Sequence, residues 1–392
     1  MRTTAQLDLD KVTGWRRHLH RHPETAYEEF QTAAFVAERL REMGLEPITE
    51  IGGTGVMARI EGQAAGPVIG LRADMDALPL DECEARPHRS LNDGRMHACG
   101  HDGHTAILLG AAEALAAALD FGGTVVLVFQ PAEEGYAGAR AMLDDPCWPA
   151  FGIERIYGLH NWPELPLGEF YVHEGACMAS SDTFEFTLRG SGGHAAFPHL
   201  APDVPGAAAS LAQLLSGLTR RSAAPTEPLV VTVTQIHTGT ASNIIPAGAM
   251  VGGTVRCLSE DTRKRVEQEL AALARHIGET YAIEATLAYK RQYPVTYNHA
   301  EQAGELRRAA AAVPGLSEAR DIAPSMGAED FSFFTERLPG AYLWLGGRDE
   351  AHHAPLHSCR FDFNDHSLPL GIALWQRLVR DLLPLPTAHS QA

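Results

Sequence analysis

The densest run of chemically capable side chains is Met96-His97-Ala98-Cys99-Gly100-His101-Asp102-Gly103-His104, with three histidines, one cysteine and one aspartate in eight residues. Imidazole and thiolate are borderline-soft ligands, suited to Zn, Mn, Co or Ni. Cys99 and His101 stand two positions apart, so an extended segment points both to one side and a helix does not. A turn ahead of a helix over Ile107–Leu119 would present both to an ion; a solvated His-rich loop is the competing reading. A second candidate is Gln130-Pro131-Ala132-Glu133-Glu134-Gly135, directly after the apolar run TVVLVFQ. Adjacent carboxylates repel unless a cation or proton separates them, so one bound to metal and one poised as base is a natural solution. His160 ends the run RIYGLH, Asp74 and Asp76 end VIGLRADMD, and His357 lies in HAPLHS. Each alone reads as a satisfied polar residue. Together they recur at the ends of apolar runs.

These residues need a scaffold. Helical signals at Ala33–Met43 and Ile107–Leu119 alternate with the strand-like runs VIGLRAD, TVVLVFQ and Ile156–His160, which predicts an α/β layer with a mainly parallel sheet flanked by helices. In such sheets active sites gather at the carboxyl ends of the strands. At Ser181 the pattern changes, because DTFEFTL alternates apolar and polar residues as a sheet with one solvated face does. The order then runs strand Thr183–Arg189, helix Pro205–Arg221, strands Leu229–His237 and Met250–Leu258, helix Thr262–Tyr281 and strand Ile283–Tyr289. That is the β-α-β-β-α-β order of a ferredoxin-like α+β insert. Val266, Leu270, Leu273, Ile277 and Tyr281 fall on one stripe of the second helix. The α/β style resumes with helix Glu301–Ala312, the strand AYLWLGG and a helix over Leu368–Leu383. The domain reading is residues 1–180 and 292–392 as one discontinuous domain and 181–291 as the insert.

Composition narrows the function classes. The chain has 392 residues, a length that favours two domains. Its 49 acidic and 32 basic residues give a formal net charge of −17, which repels phosphate backbones and anionic lipid, so no nucleic-acid or membrane partner is expected. The start lacks a signal-peptide core and no run of about 18 apolar residues occurs, so a cytoplasmic protein is expected. Six scattered cysteines do not read as a disulfide scaffold, and each is expected as a reduced thiol. IGGTG at 51–55 is not a dinucleotide fingerprint, and no phosphate-binding GxxxxGK[ST] loop is present.

Ten segments then coincide in order with one family pattern: RRHLHRHPETAYEE, LRADMDALP, MHACGHDGHTA, FQPAEEGYAGA, YGLHNWPELPLG, GSGGHAAFPH, NIIP, GTVRC, MGAEDFSFF and APLHS. Over nearly its whole length the chain resembles the M20 metallopeptidase family, in the aminoacylase and hippurate hydrolase branch that also holds the auxin-conjugate hydrolases. The resemblance implies a Zn-peptidase-like catalytic domain carrying a ferredoxin-like lid and dimerisation domain. It implies two divalent ions per subunit (Mn, Zn, Co or Ni) on Cys99, His101, Glu134, His160 and His357, with Glu133 as base. Other branches carry a carboxylate at the Cys99 position, and a metal-bound thiolate can bridge two ions. Asp74 and Asp76 match strand-end carboxylates that orient ligands. His194 matches the lid histidine that stabilises the oxyanion, often from the partner subunit of a homodimer or homotetramer. Asn243 and Arg256 match groups for the substrate carboxylate. The implied reaction is hydrolysis of N-acyl amino acids. Competing readings are a dipeptidase or carboxypeptidase of the same fold, a thiol amidase with Cys99 as nucleophile and His101 or His104 as base, and a metal-binding protein without catalysis.

Overall fold

The computed structural model describes residues 8–224 and 226–386. Four apolar runs become neighbouring parallel strands, in the order Thr124–Gln130, Val68–Asp74, Arg155–Pro166 and Gly340–Arg348. They are almost wholly buried, which is why they read as continuous Val, Ile and Leu runs and not as alternating ones. The register pairs Asp74 with Gln130, Arg72 with Gly158 and His160 with Trp344, so the expected site residues of different strands come to the same end of one sheet. Four further strands complete it. Gly55–Glu61 and then Ile48–Ile51 extend one side in antiparallel fashion; on the other side Glu169–Tyr171 runs antiparallel to Gly340–Arg348 and parallel to Ser317–Glu318. None of the four was expected. Three are two to four residues long, and Arg59 breaks the apolar run of the other.

Helices Leu9–Arg21, Phe30–Glu42, His101–Ala118, Ala300–Ala311 and Leu368–Leu382 cover this sheet. The first and last pack on His101–Ala118, where Gly110 leaves room for Ile372 and Val12. Each Ile or Leu so buried contributes about 1.5–3 kcal/mol. Leu9–Arg21 was not expected, because its buried face includes Arg16 and His20 and so lacks a clean apolar stripe. The central helix begins at His101 and not near Ile107. Gly100, at φ 90°, turns the chain into it, and a Cβ there would collide with the Asn161 side chain.

The described residues divide into two compact units: those up to 175, 297–323 and from 333 on, and those within 176–296 with 324–332. The second unit is an antiparallel sheet in the order Leu229–Thr238, Gly248–Cys257, Ser181–Arg189, Glu284–Tyr293, carrying helices Val204–Ser216 and Glu260–Tyr281. Phe186, Leu188, Val251, Leu211, Leu215, Val266, Leu270 and Ile277 form its core. The sequence cuts at 180 and 291 differ from these bounds. Residues 324–332 join the second unit because Ser325 exchanges backbone hydrogen bonds with Cys177 and Ala179 (2.9 and 3.1 Å). No described helix is long and apolar enough to cross a membrane.

One expectation fails. Cys83 and Cys359, expected as thiols, form a disulfide across 276 positions with a Cα–Cα distance of 5.3 Å. Two loops remote in sequence meet: Cys83 N–H donates to Cys359 O (3.0 Å) and Arg86 to the carbonyls of Arg360 and Phe361. Spacing along the chain carries no trace of that approach. Cys99, Cys147 and Cys257 are free thiols.

Candidate metal centre

The first unit gathers the six residues expected to carry ions and base. Cys99 is the last side chain before the Gly100 turn and His101 the first of the helix, so the turn, as expected, lets both face one point. Ligand atoms of Cys99, His101 and His160 lie within 4.8 Å of one another, as do those of Cys99, Glu134 and His357, and those of His101, Glu133 and Glu134. Cys99 thus belongs to two triads, the position a bridging thiolate needs. Glu133 and Glu134 are turned out of the Thr124–Gln130 strand by Ala132, whose φ of 55° is left-handed, and Gly135 at φ 89° closes the turn. His357, also left-handed at φ 61°, is held by its N–H to Ala98 O (2.8 Å).

Hydrogen bonds aim the imidazoles. His101 Nδ1 donates to Asp76, 2.9 Å to the carbonyl and 3.2 Å to Oδ1, leaving Nε2 buried without a hydrogen-bond partner among the described residues. His160 Nδ1 donates to Asn161 O (2.6 Å), so Nε2 faces Cys99 Sγ at 3.4 Å with its lone pair free of a proton. Holding one ring nitrogen so that the other is bare is how ligating histidines are prepared. His104 sits among the same rings but is spoken for at both nitrogens: Nδ1 donates to Asp74 Oδ1 (2.6 Å) and Nε2 accepts from Asn161 N–H (2.9 Å). Asp74 Oδ2 accepts from Arg72 (2.6 Å), so the Asp74–His101–His104 grouping is closed to an ion. Asp76 Oδ2 accepts from Glu134 N–H (3.0 Å), tying the histidine and the carboxylate pair to one residue.

The electrostatics show a deficit of positive charge. Burial and the carboxylates of Glu134, Glu133 and Asp74 push the Cys99 thiol well above its usual range. Burial pulls His101 down, but Asp74 and Asp76 overcome it and push it up to about 10. Burial and neighbouring His104 keep His160 neutral. A buried imidazole nitrogen without a hydrogen-bond partner among the described residues, beside carboxylates that push up both the Cys99 thiol and His101, fits a cation. The same burial disfavours Cys99 as a free nucleophile, which needs a lowered pKa.

The other three expected residues lie in the second unit. His194 belongs to the short Gly193–His194 strand paired with Ile244–Ile245, and Ala195 N–H donates to Asn243 O (3.1 Å), so His194 and Asn243 are neighbours; both are exposed. Arg256, on strand Gly248–Cys257, is half-buried with Nη1 lacking a hydrogen-bond partner among the described residues. Sequence reasoning missed Glu29, which is fully buried behind the carboxylate turn, with its carboxyl pushed up to about 7 by burial and by Asp76. Its only signal was its place in HPETAYEE.

The sequence profile described as peptidase family M20/M25/M40 matches residues 70–381. Hippurate hydrolase of Campylobacter jejuni is 38% identical over 374 residues, covering 95% of this chain and 96% of its own length. Thermostable carboxypeptidase 2 of Saccharolobus solfataricus is 36% identical over 375 residues, covering 93% of this chain and 94% of its own. Among solved structures, a dinuclear metal binding peptidase from the M20 family of Bacillus subtilis superposes with a TM-score of 0.85 at 33% identity, covering 96% of this chain and 98% of that one.

Proposed function

Since this chain belongs to peptidase family M20/M25/M40 and is a metal-dependent amidohydrolase, we propose that it cleaves the amide of N-acyl amino acids, aryl or alkyl, at a two-ion centre on Cys99, His101, Glu134, His160 and His357. The observation that carries the reading is convergence: four separate segments bring those side chains together, with His101 Nε2 buried and without a hydrogen-bond partner among the described residues. Divalent ions held by those residues would supply an acidified water and polarise the scissile carbonyl. Glu133 takes the proton of the attacking water and hands it to the departing amine nitrogen. Asp76 holds His101 and the Glu134 backbone in place while the carbonyl carbon becomes tetrahedral. His194 donates a hydrogen bond to the carbonyl oxygen as charge builds on it. Arg256 and Asn243 hold the substrate carboxylate, Arg256 with an Nη1 that has spare donor capacity.

The second unit leaves strand Leu229–Thr238 at its sheet edge, largely exposed, and we read that edge as the dimer contact. A monomer by sedimentation at micromolar concentration would remove that reading. The similarity to a carboxypeptidase makes peptide hydrolysis the second reading. A panel of hippurate, N-acetyl amino acids, indoleacetyl conjugates and dipeptides, after reconstitution with Mn, Co, Ni or Zn, tests both. We expect N-acyl amino acids to give the highest kcat/KM; faster turnover of dipeptides than of every acyl substrate would replace the first reading with the second.

A further inference from the structure

Glu29 is a fully buried carboxyl with no part in the chemistry above. It is the residue before helix Phe30–Glu42, but its side chain makes no cap hydrogen bond there and turns inward. One oxygen accepts from Ala132 N–H at 2.8 Å and the other from the Thr54 hydroxyl at 2.5 Å. The charge acting on it is that of Asp76, which repels it. A buried carboxyl facing a like charge is costly to keep, so what it grips is informative.

What it grips is the first residue of the carboxylate turn. Ala132 is fully buried and left-handed at φ 55°, a conformation an alanine holds only when its surroundings enforce it. Pro131 before it has no N–H to offer. The Ala132 carbonyl accepts from Gly138 N–H at 3.0 Å, and two residues on, Glu134 N–H donates to Asp76 Oδ2 at 3.0 Å. Glu133 therefore sits between two backbone N–H groups, each taken by a buried carboxyl, Glu29 on one side and Asp76 on the other. The Asp76 grip secures Glu134, whereas the Glu29 grip acts on the residue that sets the direction in which Glu133 leaves the backbone.

We propose that Glu29 is a positioning residue, which holds Glu133 in its proton-accepting orientation by fixing the left-handed backbone of Ala132. This rests on Glu133 being the base. Loss of the Glu29 carboxyl frees Ala132 N–H and lets the alanine relax toward an ordinary conformation, swinging Glu133 while Cys99, His101 and His160 stay where their own hydrogen bonds hold them.

Five variants, Glu29→Ala, Glu29→Gln, Glu29→Ala with Ala132→Gly, Glu133→Gln, and Glu29→Ala with Glu133→Gln, are compared by kcat, KM and bound metal. Glu29→Ala should lower kcat at least tenfold with KM within about threefold and metal content as in wild type. Glu29→Gln, which keeps an acceptor oxygen for Ala132 N–H, should regain most of that loss and, being nearly isosteric, covers the case in which the alanine variant does not fold. Ala132→Gly should restore part of the Glu29→Ala loss, because glycine adopts φ 55° unaided. In the Glu133→Gln background, Glu29→Ala should cost nothing further, since residues acting through one group are not additive. Wild-type kcat in Glu29→Ala, metal loss in proportion to activity, or full additivity with Glu133→Gln each overturns the proposal. If Glu133→Gln itself keeps wild-type kcat, the base assignment falls first and independently.

Discussion

The first turn of helix His101–Ala118 serves two buried polar clusters that share residue types and differ in charge balance. One is the candidate metal centre. The other begins at Asp102, which pairs with His20 (2.8 Å) and Arg16 (3.5 Å), and continues through Arg16 to Asp362 (3.3 Å) and Asp365 (2.7 Å) and through His20 to Glu82 (3.5 Å). In this second cluster opposite charges meet. Burial opposes the charge on His20, but Asp102 and Glu82 push it up to about 9, while His20, its neighbours and Arg16 hold Asp102 well below the carboxylate range. His97, buried two residues before Cys99 with neither ring nitrogen hydrogen-bonded among the described residues, is pushed down to about 4 by burial and stays neutral. In the metal centre, carboxylates and a thiol accumulate with, among the described residues, no guanidinium beyond the Arg72 that Asp74 takes. A catalytic site is marked less by histidines and acids than by ligand atoms and negative charge left over after pairing.

Arg16→Met tests the paired side of that contrast and should show the largest effect. It leaves Asp102, Asp362 and Asp365 without a shared cation, so stability should fall by roughly 3–5 kcal/mol, read as a lowered denaturation midpoint. The fraction that remains folded should bind metal normally. A variant of wild-type stability that has lost its metal would mean that the network serves the centre and not the fold.

Glu133→Gln and Glu134→Gln test the other side. Glu133→Gln should keep its metal and lose on the order of a hundredfold or more in kcat, and Glu134→Gln should lose metal; neither should destabilise the metal-free protein, since each removes a like charge. Metal analysis that finds Glu133→Gln to be the empty variant reverses the two roles.

The smallest effect is a pH dependence. His20 has a folded pKa near 9 against an ordinary 6.5, so its contribution is fully present below about pH 6.5 and is lost as pH rises through 9. Melting temperature should decline by a few degrees between pH 7 and 9, and the decline should flatten in His20→Gln. An equal slope in both proteins would show that His20 carries no charge in the folded state.

The metal-centre residues were legible because each lies in or next to an apolar run whose secondary structure is readable locally. Asp74 ends a strand, Glu133 and Glu134 follow one within three or four residues, and Cys99 and His101 flank a glycine turn, whereas the strand of His160, expected to end there, runs on to Pro166. Locating the parallel strands was enough to bring these together, since a parallel sheet aligns its carboxyl ends. The insert was legible through the two-residue alternation of DTFEFTL and the stripe on Glu260–Tyr281. The start of the central helix was misplaced, because two buried histidines and an aspartate, His101, His104 and Asp102, break the apolar pattern of its first turn.

Sequence by itself determined the order of the four parallel strands and of the insert's strands and helices, the change of sheet type at Ser181, and which local runs carry metal-capable side chains, because these depend on periodicities of two and 3.6 residues and on contacts within a turn. Tertiary structure alone decided which partners those side chains meet. Arg16 and Asp362 are 346 positions apart, Cys83 and Cys359 are 276 apart, and Glu29 reaches Ala132 across 103. No local pattern encodes such separations, because what places each pair is packing of whole elements on the sheet. That packing also decides which carboxylates find a cation and which are left to hold one.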